Sequence, residues 1–344
     1  MRPPLGCVLA AALAGCATAP VAPVFWREHA IGSQSTYDPL TSSLQYALDS
    51  IQVEKDFETD DFDDGLREVV HNLLSPGPQI EQEGGLGEFI NKEVLPIFPH
   101  KLGDSAAILP NVFLHCLGGG MLFRKQAEWF DAHGWPAPWL LSGVLAVACE
   151  VVGEVVEKPV ADDTDEIADF WLWRPLGMWL YADEGRARWI AKSLGPVDWP
   201  HQLIWDFADE RFRNVGSSYV FRPSAFAFGS TRGFVYTGMT NLFGLSHDLA
   251  NGDTFSWGGG ASTVSIKPVD LRWSAGLFYE RDQSLLASLL VNGAESYAAR
   301  LNVYPGVIAA ADSWLGRAGF FCAVTDDGDV VGGVQWELPI GVGG

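Results

Sequence analysis

Basic side chains are scarce in this chain: 22 Lys and Arg stand against 43 Asp and Glu, a formal net charge of −21 over 344 residues. That balance excludes a nucleic-acid partner, whose phosphates need basic patches, and it disfavours electrostatic docking of the molecule as a whole on anionic lipid. Cysteine is scarce too. Of five, Cys7 and Cys16 lie at the extreme N-terminus, and Cys116, Cys149 and Cys322 show no C-x-x-C spacing, which argues against a structural zinc site. An exported location permits at most one disulfide, for which Cys116 with Cys149 is the preferred pair because both lie in apolar helical segments; burial as free thiols is the commoner outcome for such residues. No G-x-S-x-G elbow surrounds Ser142 or Ser105. Gly118-Gly-Gly120 is no phosphate loop, since neither Lys-Ser nor Lys-Thr follows. Asp60-x-Phe62-x-Asp64-Gly65 puts Phe where a calcium loop needs oxygen, so a solvated acidic turn is expected there.

What the chain has in abundance is apolar material. It is 48% hydrophobic and 12% aromatic, with 14 Trp and a mean hydropathy of +0.09 in spite of its charge. The acidic residues are therefore concentrated in some segments and leave others very apolar, as in a membrane-contacting protein or a soluble one with a large core. Arg2, the apolar run from Cys7 to Ala14, and Leu13-Ala14-Gly15-Cys16 resemble a bacterial lipoprotein signal. The resemblance implies removal of residues 1–15, acylation of Cys16 with palmitate-type chains, and an address in the bacterial cell envelope, at the outer membrane, with membrane lipid as partner. An ordinary secretory leader cut near Ala17 or Ala19 is the competing reading.

Residues 16–39 are rich in Ala, Pro and Thr and read as a tether. From 40 to 215 the apolar period is helical. Leu109 to His133 and Trp139 to Val156 are apolar helices, the second about 27 Å long. Asp163 to Tyr181 is a third, with a kink or restart expected at Pro175. From 216 to 344 the period changes to two. Eight strands are expected near 218–228, 232–242, 254–266, 271–280, 284–292, 296–304, 316–325 and 329–340, with turns at Arg281-Asp-Gln283, Asn292-Gly293 and Asp326-Asp-Gly328. One face of these strands carries Leu, Val, Trp, Phe and Tyr; the other carries Gly, Ser and Ala with occasional charge. The fold expected is α+β: an N-terminal helical domain followed by an antiparallel β-barrel of about eight strands, inserted in the outer membrane or soluble.

The polar residues within the apolar helices are the candidates for chemistry. Asn111 and His115 are four apart, as are Glu150 and Glu154, and as are Asp165 and Asp169 ahead of Arg174-Pro175. Two carboxylates withdrawn from water cannot both stay ionised without a cation, a shared proton or several donors. His115, Asn111 and Arg174 are candidates to supply them. Asn111-Val-Phe-Leu-His115 with Gly118-Gly-Gly120, Glu150-Val-Val-Gly-Glu154, and Asp169 with Pro175-Leu-Gly177 resemble a poorly characterised family of exported, envelope-associated bacterial proteins, over about 70 residues. This chain has Cys116 where that pattern carries Pro. The resemblance implies an envelope address and no settled activity.

Three roles compete for the cluster. A divalent metal could be held by His115, Glu150, Glu154 and Asp169. An envelope lipid hydrolase or acyltransferase could use His115 as general base with Glu150 or Asp169 orienting it, although no nucleophile is evident. A hydrogen-bonded network could simply fix three helices together.

Overall fold

A computed structural model of the chain describes residues 21–52, 62–94, 110–157, 164–265, 270–294 and 296–344. The signal around Cys16 and most of the acidic turn lie outside them; Phe62 to Gly65 form the start of a helix. The molecule is α+β, helices first and sheet second, with short 3-10 turns at Ser224–Phe226 and Leu315–Arg317 within the strand half.

Helix α1, Pro39–Ala47, starts where Asp38 Oδ1 accepts from the Leu40 and Thr41 amides, both at 2.9 Å, with Pro39 in the first turn. Next come α2 (Phe62–Leu74), α3 (Pro76–Gln82) and α4 (Leu86–Phe89), the last running into a π-helical turn, Ile90–Val94. Helix α5, Gly119–Ala132, continues a π-helical turn at Pro110–Gly118, and α6 spans Pro138–Glu157. Helix α7 (Asp165–Ala168), a third π-helical turn (Asp169–Trp173) and α8 (Arg174–Ala182) follow one another without a break. The kink expected at Pro175 takes this form: proline offers no N–H to the carbonyl four residues back and crowds it, and the wider turn makes room. Helix α9, Glu184–Leu194, is capped by Asp183 and stops at left-handed Gly195. Helix α6 is, among the described residues, the one long and apolar enough to cross a membrane; 39% of that stretch is buried, and it packs on α1, α2 and α5.

The sheet has fourteen strands where eight were expected, and it is open. They are β1 (Val197–Pro200), β2 (Ile204–Asp206), β3 (Arg211–Arg213), β4 (Ser217–Phe221), β5 (Ala227–Phe228), β6 (Thr231–Thr237), β7 (Thr240–Asp248), β8 (Asp253–Ser265), β9 (Asp270–Arg281), β10 (Ser284–Gly293), β11 (Tyr297–Val303), β12 (Ala318–Thr325), β13 (Val330–Trp336) and β14 (Gly341–Gly343). Three short strands precede Gly216, where alternation is too brief to see. Two expected strands are each broken by a turn, 218–228 at Ser224–Phe226 and 232–242 at Gly238-Met239, and β14 follows the last expected one. Pairing is antiparallel throughout except between β14 and β2. The path runs from β1 through β4 to β14 and ends β2-β3, so no ladder closes it. Edge strand β1 nevertheless lies near the other end, because only His201-Gln202-Leu203 separates it from β2, one strand in from the opposite edge β3. The His201 amide donates to Gly216 O and the Gly341 amide to Leu203 O, which ties this link on both sides.

The strands carry apolar side chains on both faces, and the outer ones are exposed. On β9, Ser274, Gly276, Phe278 and Glu280 are buried, while Leu271, Trp273 and Leu277 face outward and are exposed. Phe243, Trp257, Leu301, Val334 and Trp336 extend that outer apolar surface across neighbouring strands. Inside, Trp199, Phe234, Tyr236 and Phe278 pack together, beside an Arg222–Glu280 ion pair at 3.0 Å. Helices cover the outer face around Tyr219, Phe221 and Val235.

The described part of the expected tether is docked on the body. Glu128 of α5 accepts from the amides of Val24, Phe25 and Trp26 at 2.9, 2.7 and 2.7 Å. Further on, Gly32 N donates to Pro305 O and Ser33 N to Leu285 O. Pro and Ala weaken local secondary structure, but they do not prevent backbone amides from finding a carboxylate.

Candidate functional site

Four helical elements meet at His115. The ring sits on the π-helical turn Pro110–Gly118, Glu150 on α6, Asp169 on the turn Asp169–Trp173, and Arg174 opens α8. Single-residue glycine clearances let them approach. A Cβ on Gly119 would lie 2.1 Å from an Arg174 guanidinium nitrogen, one on Gly177 would lie 2.3 Å from Cys116 O, and one on Gly120 would lie 2.7 Å from Gly177 O. Close packing is thus what Gly118-Gly-Gly120 supplies.

His115 Nδ1 lies 3.0 Å from Glu150 Oε1 and Nε2 lies 3.2 Å from Asp169 Oδ2. Glu150 and Asp169 are 2% and 1% exposed; the His115 side chain is 19% exposed. Arg174 Nε donates to Glu150 Oε2 at 2.8 Å, a second guanidinium nitrogen reaches the same oxygen, and the guanidinium lies 4.6 Å from the centre of the Tyr46 ring. Tyr46, on α1, donates its hydroxyl to Glu150 Oε2 at 3.1 Å and stands 3.0 Å from His115 Nδ1.

Burial by itself would raise the Glu150 carboxyl, but the charges and hydrogen bonds of Arg174 and His115 hold it well below its ordinary range. Burial would likewise lower the Arg174 guanidinium, and Glu150 and Tyr46 raise it instead. An ionised Glu150 only accepts, so the proton on its side of the ring belongs to Nδ1. That leaves Nε2 facing a second carboxyl. A bare lone pair there would oppose Asp169 Oδ2, so the contact requires a proton on Nε2, a proton on Asp169, or a cation between them.

Of the residues expected at the site, His115, Glu150 and Asp169 converge, with ligand-type atoms all within 4.8 Å of one another, and Arg174 joins them. Glu154 is half-buried one turn further along α6 and is not among the converging groups; a helical turn displaces it about 6 Å along the axis. Asn111 is buried one turn before His115 and donates to Glu93 O at 3.2 Å, as does Trp173 Nε1 at 3.1 Å, so it braces the turn rather than touching the ring. Cys116 and Cys149 form no disulfide; free thiols, the commoner outcome, are what the structure holds. All three described cysteines are free thiols: Cys116 is enclosed, with its thiol pushed up to about 11 by burial, and Cys149 lies among Ser43, Tyr46 and Ala146. Tyr46 is the residue that sequence reasoning missed; nothing in Pro39-Leu-Thr-Ser-Ser-Leu-Gln-Tyr46 marks it.

Family models, curated proteins and solved structures were compared with the chain, and none matches.

Ser142, considered as a nucleophile, is fully buried and gives its hydroxyl to Phe123 O at 2.5 Å. Ser105 lies outside the described residues. The Tyr46 hydroxyl is the one described near the ring, and its proton is engaged by Glu150. Neither the Ser142 nor the Tyr46 hydroxyl is therefore free to act as the nucleophile of acyl transfer.

Proposed function

We propose that this chain is an outer-membrane protein of the bacterial cell envelope, anchored by an acylated Cys16 and by a sheet that closes into a barrel in the bilayer. In this reading the His115 network is a structural lock among the helices at its side. The observation that carries the reading is the apolar outer face of the sheet. Leu271, Trp273 and Leu277 point outward and are exposed while Ser274, Gly276, Phe278 and Glu280 point inward, an outer surface that lipid favours and water does not. The nearness of edge strand β1 to β2, one strand in from the opposite edge and joined to it by His201-Gln202-Leu203, supports closure. A Cys16→Ser variant tests it, since it removes the acyl chains and leaves the sheet. It should remain in the membrane pellet after an alkaline carbonate wash, having lost palmitate labelling. Release into the supernatant would overturn insertion of the sheet, and retained labelling would overturn acylation at Cys16.

As a lock, the network balances its own charge. Glu150 and Asp169 offset Arg174 and a doubly protonated His115, which donates from both ring nitrogens. One observation favours a second reading, a divalent metal. The 3.2 Å between His115 Nε2 and Asp169 Oδ2 matches the ligand-to-ligand spacing of about 3.3 Å implied by tetrahedral bonds of about 2.0–2.1 Å, and Glu150 on Nδ1 holds the ring as outer carboxylates hold metal-bound histidines. Elemental analysis of detergent-purified protein separates the two. The lock predicts less than about a tenth of an equivalent of zinc, iron or manganese; a full equivalent, lost in His115→Gln, would establish the metal.

A further inference from the structure

Helix α9 carries an unusual load for so acidic a chain: Arg186, Arg188 and Lys192 against Glu184 alone. Its inner face, Ala187 and Ile190, is buried against Met121, Tyr181 and Phe221. Its outer face presents Arg188, Trp189 and Lys192, and Trp189 is 66% exposed. Arg186 stacks over the exposed Trp179 at 4.2 Å. Part of the charge is balanced locally, since Arg188 pairs with Glu184 at 2.7 Å and Arg186 lies 4.0 Å from the capping Asp183.

This face is not isolated. Helix α9 packs on the Ser224–Phe226 turn. Phe226 lies over Gly233 of β6, where a Cβ would come within 3.0 Å of it. Phe226 and Phe228 are themselves exposed, at 59% and 73%. The next strand, β7, exposes Phe243 and Leu245. One apolar surface thus runs from the outer face of the sheet across Phe228 and Phe226 to Trp189 on the basic helix α9.

Aromatic rings beside Lys and Arg are suited to the boundary between lipid chains and water, where the ring is half-solvated and the cation meets phosphate. We infer that α9 is an interfacial anchor whose Trp189, Arg188 and Lys192 rest in the phospholipid headgroup layer, setting the depth at which the sheet sits. The inference rests on the insertion of the sheet proposed above. The overall charge of −21 does not oppose it, because beyond a Debye length of about 8 Å the remaining acidic residues are screened.

Photo-crosslinking in the full-length protein in its membrane tests it. The crosslinker p-benzoylphenylalanine is placed in turn at Trp189 and, to report sheet insertion separately, at Trp273. We expect phospholipid adducts from both positions, and at least a threefold drop in the adduct from position 189 when Arg188→Glu and Lys192→Glu are added. Lipid adducts from 273 without any from 189, or adducts from 189 unchanged by the two charge reversals, would overturn the anchor while leaving the inserted sheet standing. Lipid adducts from neither position would overturn both. Adducts from 189 to protein would overturn the anchor by naming a protein partner instead.

Discussion

Burial alone would raise the Glu150 carboxyl; the neighbouring Arg174 and His115 outweigh it and bring the group from an ordinary 4.5 down to about 2. A carboxyl whose folded value lies below its unfolded one stabilises the fold at pH above the unfolded value, and that contribution is lost as pH falls through the folded value. The window here is therefore pH 4.5 down to about 2. Other carboxyls titrate across it as well, so a difference is needed to isolate this one. Glu150→Gln leaves Arg174 buried without its anion and should cost about 3–5 kcal/mol near neutral pH. The gap between wild type and variant, followed as Tm, should narrow as the pH drops below 4.5. A constant gap would mean that Glu150 is not ionised in the fold. At this scale the sequence was informative wherever a charge lay in an apolar run, which is why His115, Glu150, Asp169 and Arg174 were found. Tyr46 was not, because a tyrosine among Ser, Leu and Gln on a different helix carries no sign that its hydroxyl will meet a carboxylate 104 residues away.

The helical elements were largely legible. Apolar runs from Leu109 to His133 and from Trp139 to Val156 correspond to Pro110–Ala132 and Pro138–Glu157 within a residue or so at each end. What periodicity could not show is that two of the helices widen into π turns, since an extra residue in one turn shifts the pattern by less than the scatter of apolar positions. Those turns carry His115 and Asp169. Four-residue spacing misled at Glu154 on the regular helix α6 for a different reason: sharing a helical face brings two side chains to the same side, but not to the same height. The long strands β8, β9 and β10 were legible through alternation and turn residues. Strands β1, β2 and β3, of four, three and three residues, are too short to alternate visibly. The ring-like course of the sheet depends on β1 and β2, so closure was open from the sequence and is proposed here from the link between them. The apolar and polar faces were both visible in the sequence. Which of them would be buried was not, because period two is the same for a core facing in and a core facing out.

For the whole molecule, the segment from Val21 to Asp38 joins helices to sheet as strongly as any direct contact between them. Arg124 and Glu128 form its buried fastening. The pair is 2.7 Å apart, Glu128 gathers three successive amides, and Arg124 donates to Ala22 O and Tyr181 O, both at 2.8 Å. A carboxylate receiving several backbone N–H groups is a strong acceptor, and its arginine partner is satisfied only while the segment stays in place. The segment then reaches the sheet, where Gly32 adopts φ +82 and stands so close to Ser284 that a Cβ would come within 2.2 Å of its hydroxyl. Loss of the fastening should therefore be felt at both ends. Glu128→Ala strands Arg124 in a dry site, at a cost of about 3–5 kcal/mol, and frees the amides of Val24, Phe25 and Trp26. The Arg27–Glu28 bond, next to these amides, is the natural reporter, because the Arg27 side chain is already 47% exposed, held there by its ion pair with Asp282, and the order of the backbone keeps trypsin from accommodating the bond. We expect wild type to resist brief trypsin treatment at this bond, and Glu128→Ala to be cut there at least tenfold faster at a temperature where far-UV circular dichroism shows the sheet intact. Equal cleavage rates would show that the segment is held by its sheet contacts alone, and that the carboxylate on α5 is incidental to how the two halves stay together.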